Sequence, residues 1–138
     1  MWGMQAAMKI RVVSSKDEIA QLSSRERVVH LVAPPTALVL LELINRCPKL
    51  EAVQVHPSRF ERLSEPSLCL LEVQGVKIFP GAIQGHRTDR AEYITVDERA
   101  ILQRAGELLA EGLDSEEIVA RMAEEAGVSP GLVELILG

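Results

Sequence analysis

Four short apolar runs rich in β-branched residues recur along the chain, and they constrain its fold more than any other feature. They are Ile10–Val13, Val28–Val32, Ala52–Val55 and Val76–Phe79. Each has the length of a buried strand, and the segments between them carry helix-start signals such as Ser15-x-x-Glu18 and Ser58-x-x-Glu61. The alternation predicts an α/β fold of order βαβαβαβ, with a small, mainly parallel sheet and right-handed crossovers.

The composition is consistent with such a sheet. Of the 138 residues, 47% are hydrophobic and only 3% are aromatic, so the core must be built from Val, Ile, Leu and Ala, as in a parallel sheet covered by helices. Leu31, Val55 and Phe79 are spaced 24 residues apart, a period that leucine-rich repeats also use. A solenoid is therefore an alternative, which we consider weaker because the chain has only about three such units and no asparagine ladder.

Residues 95–138 are predicted to form a three-helix tail. The signal Thr95-x-x-Glu98 opens a long amphipathic helix that stops at Gly112, and Asp114-x-x-Glu117 starts the next helix. The sequence therefore divides into three parts, a leader at 1–7, an α/β domain at 8–94 and the helical tail at 95–138.

The spacing of small and apolar residues around Gly127 is that of a helix-turn-helix. Ala123 lies four residues before Gly127 and Val133 six residues after it, so a small residue stands where two helices touch and glycine supplies the backbone angle of the turn. Apolar side chains fill the inward positions Met122, Ala126, Val128, Leu132 and Ile136. The pattern is similar to the DNA-reading unit of lactose-repressor-type regulators, which implies a regulator that contacts DNA.

The charge of this tail argues against DNA as its partner. Residues 97–138 hold 3 Lys and Arg against 10 Asp and Glu, whereas residues 1–96 hold 12 against 10, and the whole chain has a formal net charge of −5. The second helix of the motif also presents Glu134 where a DNA reader presents Arg, Lys, Asn or Gln to base edges. Phosphates repel such a tail, so DNA contact is a disfavoured expectation and a protein partner is at least as consistent.

Polar side chains collect at the predicted carboxyl ends of the strands, where open parallel sheets bind their ligands. The candidate ligand-binding residues are Ser15, Thr36, Ser58, Arg59, His86 and Arg87. Hydroxyls at helix starts and nearby arginines both favour negative charge, so this edge predicts a pocket for a small anion.

Two histidines at the same edge raise the alternative of catalysis. His56 and His86 follow consecutive strands, and a facing pair that titrates near neutrality could act as acid and base while Arg59 or Arg87 anchors a substrate. In a simpler interpretation, the histidines only make hydrogen bonds and arginines such as Arg62 pair with neighbouring carboxylates. The sequence leaves an enzyme, an anion-binding protein and a plain surface open.

The sequence predicts no cofactor and no metal site. Its histidines and cysteines lack the short ligand spacing of structural zinc, and the chain has no phosphate-cradling glycine loop, dinucleotide-binding fingerprint or nucleophile elbow. His30 lies in mid-strand, which favours a core histidine. Cys47 and Cys69 lie in apolar surroundings behind no secretory signal, which predicts buried thiols in a reducing cytoplasm. No apolar run approaches the roughly 20 residues that cross a bilayer, so no membrane contact is expected.

The segment Thr36–Arg46 is apolar around almost its whole circumference, with Glu42 and Asn45 as its interior exceptions. A surface helix needs only one apolar stripe. Either the tail helices cover the second face or another copy of the chain does, and the latter predicts a homo-oligomer assembled through this helix.

Three segments of the chain carry a family resemblance. They are Met8–Ser15, Arg46–Glu51 and Gly85-His-Arg-x-Asp89 with Glu92 and Tyr93. Over residues 8–93 the chain resembles a family of small archaeal proteins, common in methanogens and described only as a domain of unknown function. The resemblance implies an archaeal, cytoplasmic protein and points again to the segment around His86, without supplying a reaction. We therefore predict an oligomeric binding or regulatory protein, with a small enzyme and a structural adaptor as alternatives.

Overall fold

The chain builds a five-stranded sheet with helices on both faces, in a computed structural model that describes residues 7–82 and 93–138. The strands are β1 (Ala7–Val13), β2 (Val28–Leu31), β3 (Ala52–Val55), β4 (Lys77–Pro80) and β5 (Tyr93–Asp97). Their order across the sheet is β4-β3-β2-β1-β5, with β1 to β4 parallel and β5 antiparallel beside β1. The predicted α/β class and the mainly parallel sheet are confirmed.

The helices depart from the simple predicted order. They are a 3₁₀ helix (Lys16–Gln21), α1 (Ala37–Arg46), α2 (Pro57–Phe60), α3 (Glu65–Gln74), α4 (Glu98–Ala110), α5 (Ser115–Ala126) and α6 (Pro130–Leu137). The first crossover is thus a 3₁₀ helix and the third holds two helices. Pro66 explains the second departure, because proline is tolerated in the first turn of a helix but not in its interior. The chain accordingly starts α3 anew, with Ser64 as its N-cap.

One face of the sheet is covered by the 3₁₀ helix, α1 and α3. The core on this face is aliphatic and includes Val29, Leu31, Leu40, Leu43, Val53, Val55 and Leu71, each at most 1% exposed. Burying one such Val or Leu side chain contributes about 1.5–3 kcal/mol. Since alternate strand residues point to opposite faces, β2 and β3 place His30 and Gln54 on the other side.

The opposite face of the sheet is covered by α4, α5 and α6. Its core includes Ile10, Val28, Ile101, Leu108, Met122, Leu132, Val133 and Ile136. The tail and α1 therefore lie on opposite sides of the sheet. The outer face of α1 is left uncovered by the tail, and Leu38 and Leu41 there are 58% and 43% exposed. Of the two covers predicted for this helix, cover by the tail helices is wrong.

The tail begins later than its sequence signal suggests. Thr95 lies within β5, and α4 begins after Asp97. The Asp97 side chain caps this helix by accepting a hydrogen bond from the Ala100 N–H at 3.1 Å. Pairing explains the shift, because β5 stays in register with β1 as far as the pair Ala7 and Asp97. The predicted boundary at 94/95 therefore falls inside a strand.

The turn between α5 and α6 is made by glycine. Gly127 ends α5 with a φ of 69°, a left-handed conformation that favours glycine. Met122 and Val133 are buried as the spacing predicts, whereas Ala126, predicted to point inward, is exposed. The two helices pack together and against the sheet.

The 24-residue spacing matches the strand register in its first step only. Leu31 pairs with Val55, whereas Val55 pairs with Pro80 and Phe79 pairs with Gln54. Helices cover both faces of this sheet, which is a layered arrangement rather than a solenoid. Within the described ranges, no helix is long and apolar enough to cross a bilayer.

The two cysteines differ in exposure. Cys47 is fully buried, and its thiol lies 3.6 Å from the carbonyl oxygen of Ser23. Cys69, which was predicted to be buried, is exposed on α3, because the buried positions of that helix are those of Ser67 and Leu71.

Candidate functional site

A cavity of about 860 Å³ opens at the carboxyl ends of β2, β3 and β4. Among the described residues, loops and helix starts supply most of its wall, which is lined by His30, Val32, Pro34, Pro35, Thr36, Ala37, His56, Ser58, Arg59, Arg62, Ser64 and Ala82. Its position is the one that parallel sheets use for their ligands.

Four of the predicted site residues meet in this cavity. Thr36, His56, Ser58 and Arg59 all line it. Ser15 does not line it, and its backbone N–H instead donates to the Glu18 carboxylate at 3.0 Å. His86 and Arg87 lie outside the described residues.

Three further polar residues line the cavity that the sequence did not single out as ligands: His30, Arg62 and Ser64. Ser64 carried a usable signal, because Ser-Glu-Pro is a typical helix start. His30 carried none, since its mid-strand position favours burial in a core. It is indeed buried, at 4% exposed, yet it borders the cavity.

Hydrogen bonds fix the wall between α1 and α3. The Thr36 hydroxyl accepts from the Val39 N–H at 3.2 Å and so caps α1. The buried Ser67 hydroxyl donates to the carbonyl of Pro35 at 3.1 Å and accepts from the Ser64 hydroxyl at 3.0 Å. Because Pro35 also has a fixed φ, the loop before α1 is held against the start of α3.

His56 is oriented by its own loop. Its Nδ1 accepts from the Ser58 N–H at 3.1 Å and lies 2.9 Å from the Ser58 hydroxyl. These contacts occupy Nδ1 and leave Nε2 as the ring nitrogen available to a ligand.

His30 is held by a partner from the neighbouring strand. Its Nδ1 lies 2.8 Å from Nε2 of Gln54, whose Oε1 lies 2.5 Å from the Ser129 hydroxyl. Burial lowers the pKa of His30 to about 4, and the nearby charge of His56 acts in the same direction. His30 is therefore a neutral imidazole at pH 7.

Within the part of the chain that the structure describes, Arg59 and Arg62 of the cavity have no acidic partners. Among the described residues, neither Arg59 nor Arg62 forms an ion pair, and no Asp or Glu lines the cavity. The predicted alternative, in which Arg62 pairs with Glu61, is not seen there. The cavity thus combines two fixed positive charges with hydroxyl and imidazole groups. Within the same described ranges, no group of three His, Cys, Asp or Glu side chains is placed to hold a metal ion.

The fold and the cavity define an α/β protein that carries a polar, cation-lined pocket at the carboxyl edge of a mainly parallel sheet. Residues 9–92 match the family of unknown function (DUF1699) N-terminal domain, and the chain belongs to this family. The match confirms the resemblance to a domain family of unknown function, and it ends before β5 and the helices α4 to α6. No curated protein and no solved structure matches the chain.

Proposed function

We propose that this protein binds a small anion of the phosphate or carboxylate class in the cavity at the carboxyl ends of β2, β3 and β4. One observation carries the proposal. Among the described residues, no carboxylate lines the cavity that holds Arg59 and Arg62, and neither arginine has an ionic partner. Unpaired guanidinium groups beside hydroxyls form strong, charge-assisted hydrogen bonds to oxyanions.

The surroundings of the cavity favour the same class of ligand. The N-caps of α1 and α3, Thr36 and Ser64, both line it, so the positive ends of two helix dipoles lie nearby. The whole chain carries a net charge of −5, and a local excess of positive charge in an acidic protein would draw anions to this one edge. The volume of about 860 Å³ is in the range of small-molecule sites.

The packing of α6 supports a structural role for the tail over DNA contact. In DNA-binding helix-turn-helix proteins, the amino-terminal residues of the second helix contact base edges. Here Ser129, the N-cap of α6, is buried and bonded to Gln54 of β3. A Cβ atom on Gly131 would lie 2.5 Å from the ring of Phe79 on β4. The end of α6 that would contact DNA thus faces the sheet, and we propose that α4 to α6 serve as its cover.

Other sequence-based expectations stay predictions. These are catalysis by His56 and His86, a homo-oligomer through α1, and an archaeal cytoplasmic origin. His86 lies outside the described residues, so the proposed acid-base pair rests on sequence alone. The exposure of Leu38 and Leu41 on α1 is consistent with a second copy of the chain at this surface.

Calorimetric titration of the full chain with inorganic phosphate and with glycerol phosphate tests the anion site. We expect saturable binding of at least one probe that weakens with added salt. Arg59→Gln and Arg62→Gln should each weaken it by about 10- to 100-fold, since a hydrogen bond to a charged group is worth about 1.5–3 kcal/mol.

Arg99→Gln is the matched control, because Arg99 is an exposed arginine on α4 that does not line the cavity. It removes the same charge and should leave the affinity unchanged. Binding that survives both cavity substitutions, or that falls equally in the control, would refute the site.

A further inference from the structure

A line of three hydrogen-bonded side chains joins the C-terminal helices to the cavity. The Ser129 hydroxyl of α6 lies 2.5 Å from Gln54 Oε1 on β3, and Gln54 Nε2 lies 2.8 Å from His30 Nδ1 on β2. The three residues are buried, with exposures of 8%, 5% and 4% in that order. Buried polar groups of this kind are costly unless every one is paired.

The direction of these hydrogen bonds follows from the chemistry of the groups. The Ser129 oxygen accepts from the Leu132 N–H at 3.2 Å, which leaves its proton for Gln54 Oε1. An amide whose oxygen accepts from Ser129 turns its NH₂ group toward His30. His30 Nδ1 must then be an acceptor, so the proton of the neutral ring sits on Nε2.

We propose that the fold presents His30 to the cavity as a neutral hydrogen-bond donor through Nε2, and that Gln54 and Ser129 are positioning residues that fix this tautomer. The inference rests on the proposed anion site and extends it. Arg59 and Arg62 provide positive charge, whereas His30 provides an uncharged hydrogen-bond donor from strand β2. The matching ligand is an organic anion, such as a phosphate ester or a hydroxy or keto acid, that carries a second oxygen acceptor beyond its charged group.

Gly81 is part of the same arrangement. A Cβ atom there would lie 2.7 Å from the Cβ of Ser129 and would overlap the amide of Gln54. Glycine after β4 therefore lets Gln54 and Ser129 meet. The close approach ties the end of β4, which leads into the cavity wall at Ala82, to the same hydrogen-bonded line.

Long-range ¹H–¹⁵N NMR of the histidine rings tests the proposal on the full chain without added anion. In the wild type at pH 7, we expect the His30 signals, assigned by their loss in His30→Gln, to show the neutral Nε2–H tautomer. An Nδ1–H tautomer or an imidazolium would overturn the proposal. Since no anion is present, failure of phosphate binding would count against the proposed function alone.

Gln54→Glu reverses the bond to His30, because an ionised carboxylate can only accept. We expect His30 to move to the Nδ1–H or the charged form and to gain at least 10-fold in proton affinity. The other titratable and charged groups among the described residues that line the cavity are His56, Arg59 and Arg62, and this variant leaves them unchanged. An unchanged tautomer and midpoint in a folded Gln54→Glu protein would remove Gln54 from the proposed role.

Ser129→Ala provides a second route if Gln54→Glu does not fold. It should change the His30 ring ¹⁵N shifts, because Gln54 loses the donor that sets its orientation. Asp114→Ala is the matched control, since it removes the N-cap of α5 and leaves the hydrogen bonds among Ser129, Gln54 and His30 unchanged. Ring shifts that stay the same in Ser129→Ala, or change equally in both variants, would contradict the role of Ser129.

Discussion

The Ser129 hydroxyl lies 2.5 Å from the side-chain oxygen of Gln54, which stands 75 positions earlier in the chain. This contact fastens the start of α6 to the middle of the sheet. We expect Ser129→Ala to cost about 1 kcal/mol for the lost N-cap and about a further 1–3 kcal/mol for the buried amide oxygen left without its donor. Asp114→Ala, which removes an exposed cap, should cost only about 1 kcal/mol. Urea unfolding compares the two, and equal losses would show that the Gln54 contact adds nothing.

His30 makes the stability of the protein depend on pH. Its pKa in the folded protein is about 4, below the ordinary value of 6.5, so the unfolded chain binds more protons between these values. The stability associated with neutral His30 is present in full above about pH 6.5 and falls as the pH drops toward 4. Between pH 7 and pH 5 the wild type should lose about 2 kcal/mol more than His30→Gln. Urea unfolding of both proteins at both pH values measures this difference. An equal loss of stability in the wild type and in His30→Gln would contradict the prediction.

Gly131 allows α6 to approach β4. A Cβ atom at this position would lie 2.5 Å from Cγ of Phe79, so Gly131→Ala should destabilise the fold by about 1–3 kcal/mol through overpacking. A Cβ atom on Gly106 of α4 would meet nothing within 4 Å, and Gly106→Ala should stabilise the protein by about 0.5–1 kcal/mol. Thermal unfolding separates the two variants. Gly131→Ala should lower the melting temperature and Gly106→Ala should raise it.

The thiols should differ sharply in reactivity. Burial raises the pKa of Cys47 to about 11, with the negative charge of Glu26 as a smaller cause, whereas Cys69 is exposed. Since the thiolate is the reactive form, a disulfide reagent should modify one thiol in the native protein and the second only on unfolding. Cys69→Ser should abolish the fast phase. Loss of that phase in Cys47→Ser instead would contradict the assignment.

The sequence-based prediction of a homo-oligomer can be tested on α1. If a second copy covers Leu38 and Leu41, replacing both by Ser should lower the molar mass in light scattering to that of a monomer. Leu109→Ser is the control, because Leu109 is 65% exposed on α4, on the opposite side of the sheet. A wild type that is monomeric at high concentration would end the prediction.

The parts of the fold that could be predicted are those with a local cause. The strand runs and Gly127 follow from β-branched patterns and from the needs of a turn. β5 was missed because Thr95-x-x-Glu98 gives a helix-start signal within Tyr93–Asp97, and pairing with β1 prevails over that signal. The start of α4 was misplaced because β5 runs as far as Asp97, and the separate start of α3 just before Pro66 was not predicted.

The site was predictable to the same degree. Thr36, His56, Ser58 and Arg59 lie within about five residues of a strand end, so topology alone brings them to one edge. The orientation of the His30 ring depends on Gln54 and Ser129. Ser129 belongs to α6, a helix far along the chain. No local pattern signals such a contact.

The antiparallel pairing of β1 with β5 bears on how this protein is made. Lys9 leaves the ribosome long before its partner Thr95, which follows only after the four parallel strands have been synthesised. Until then one edge of β1 is unpaired, and the apolar face of Ile10 and Val28 lacks its helices. Long-range pairings of this kind form slowly, and open edges invite association between chains. The nascent protein should therefore be most prone to aggregation just before α4 to α6 emerge.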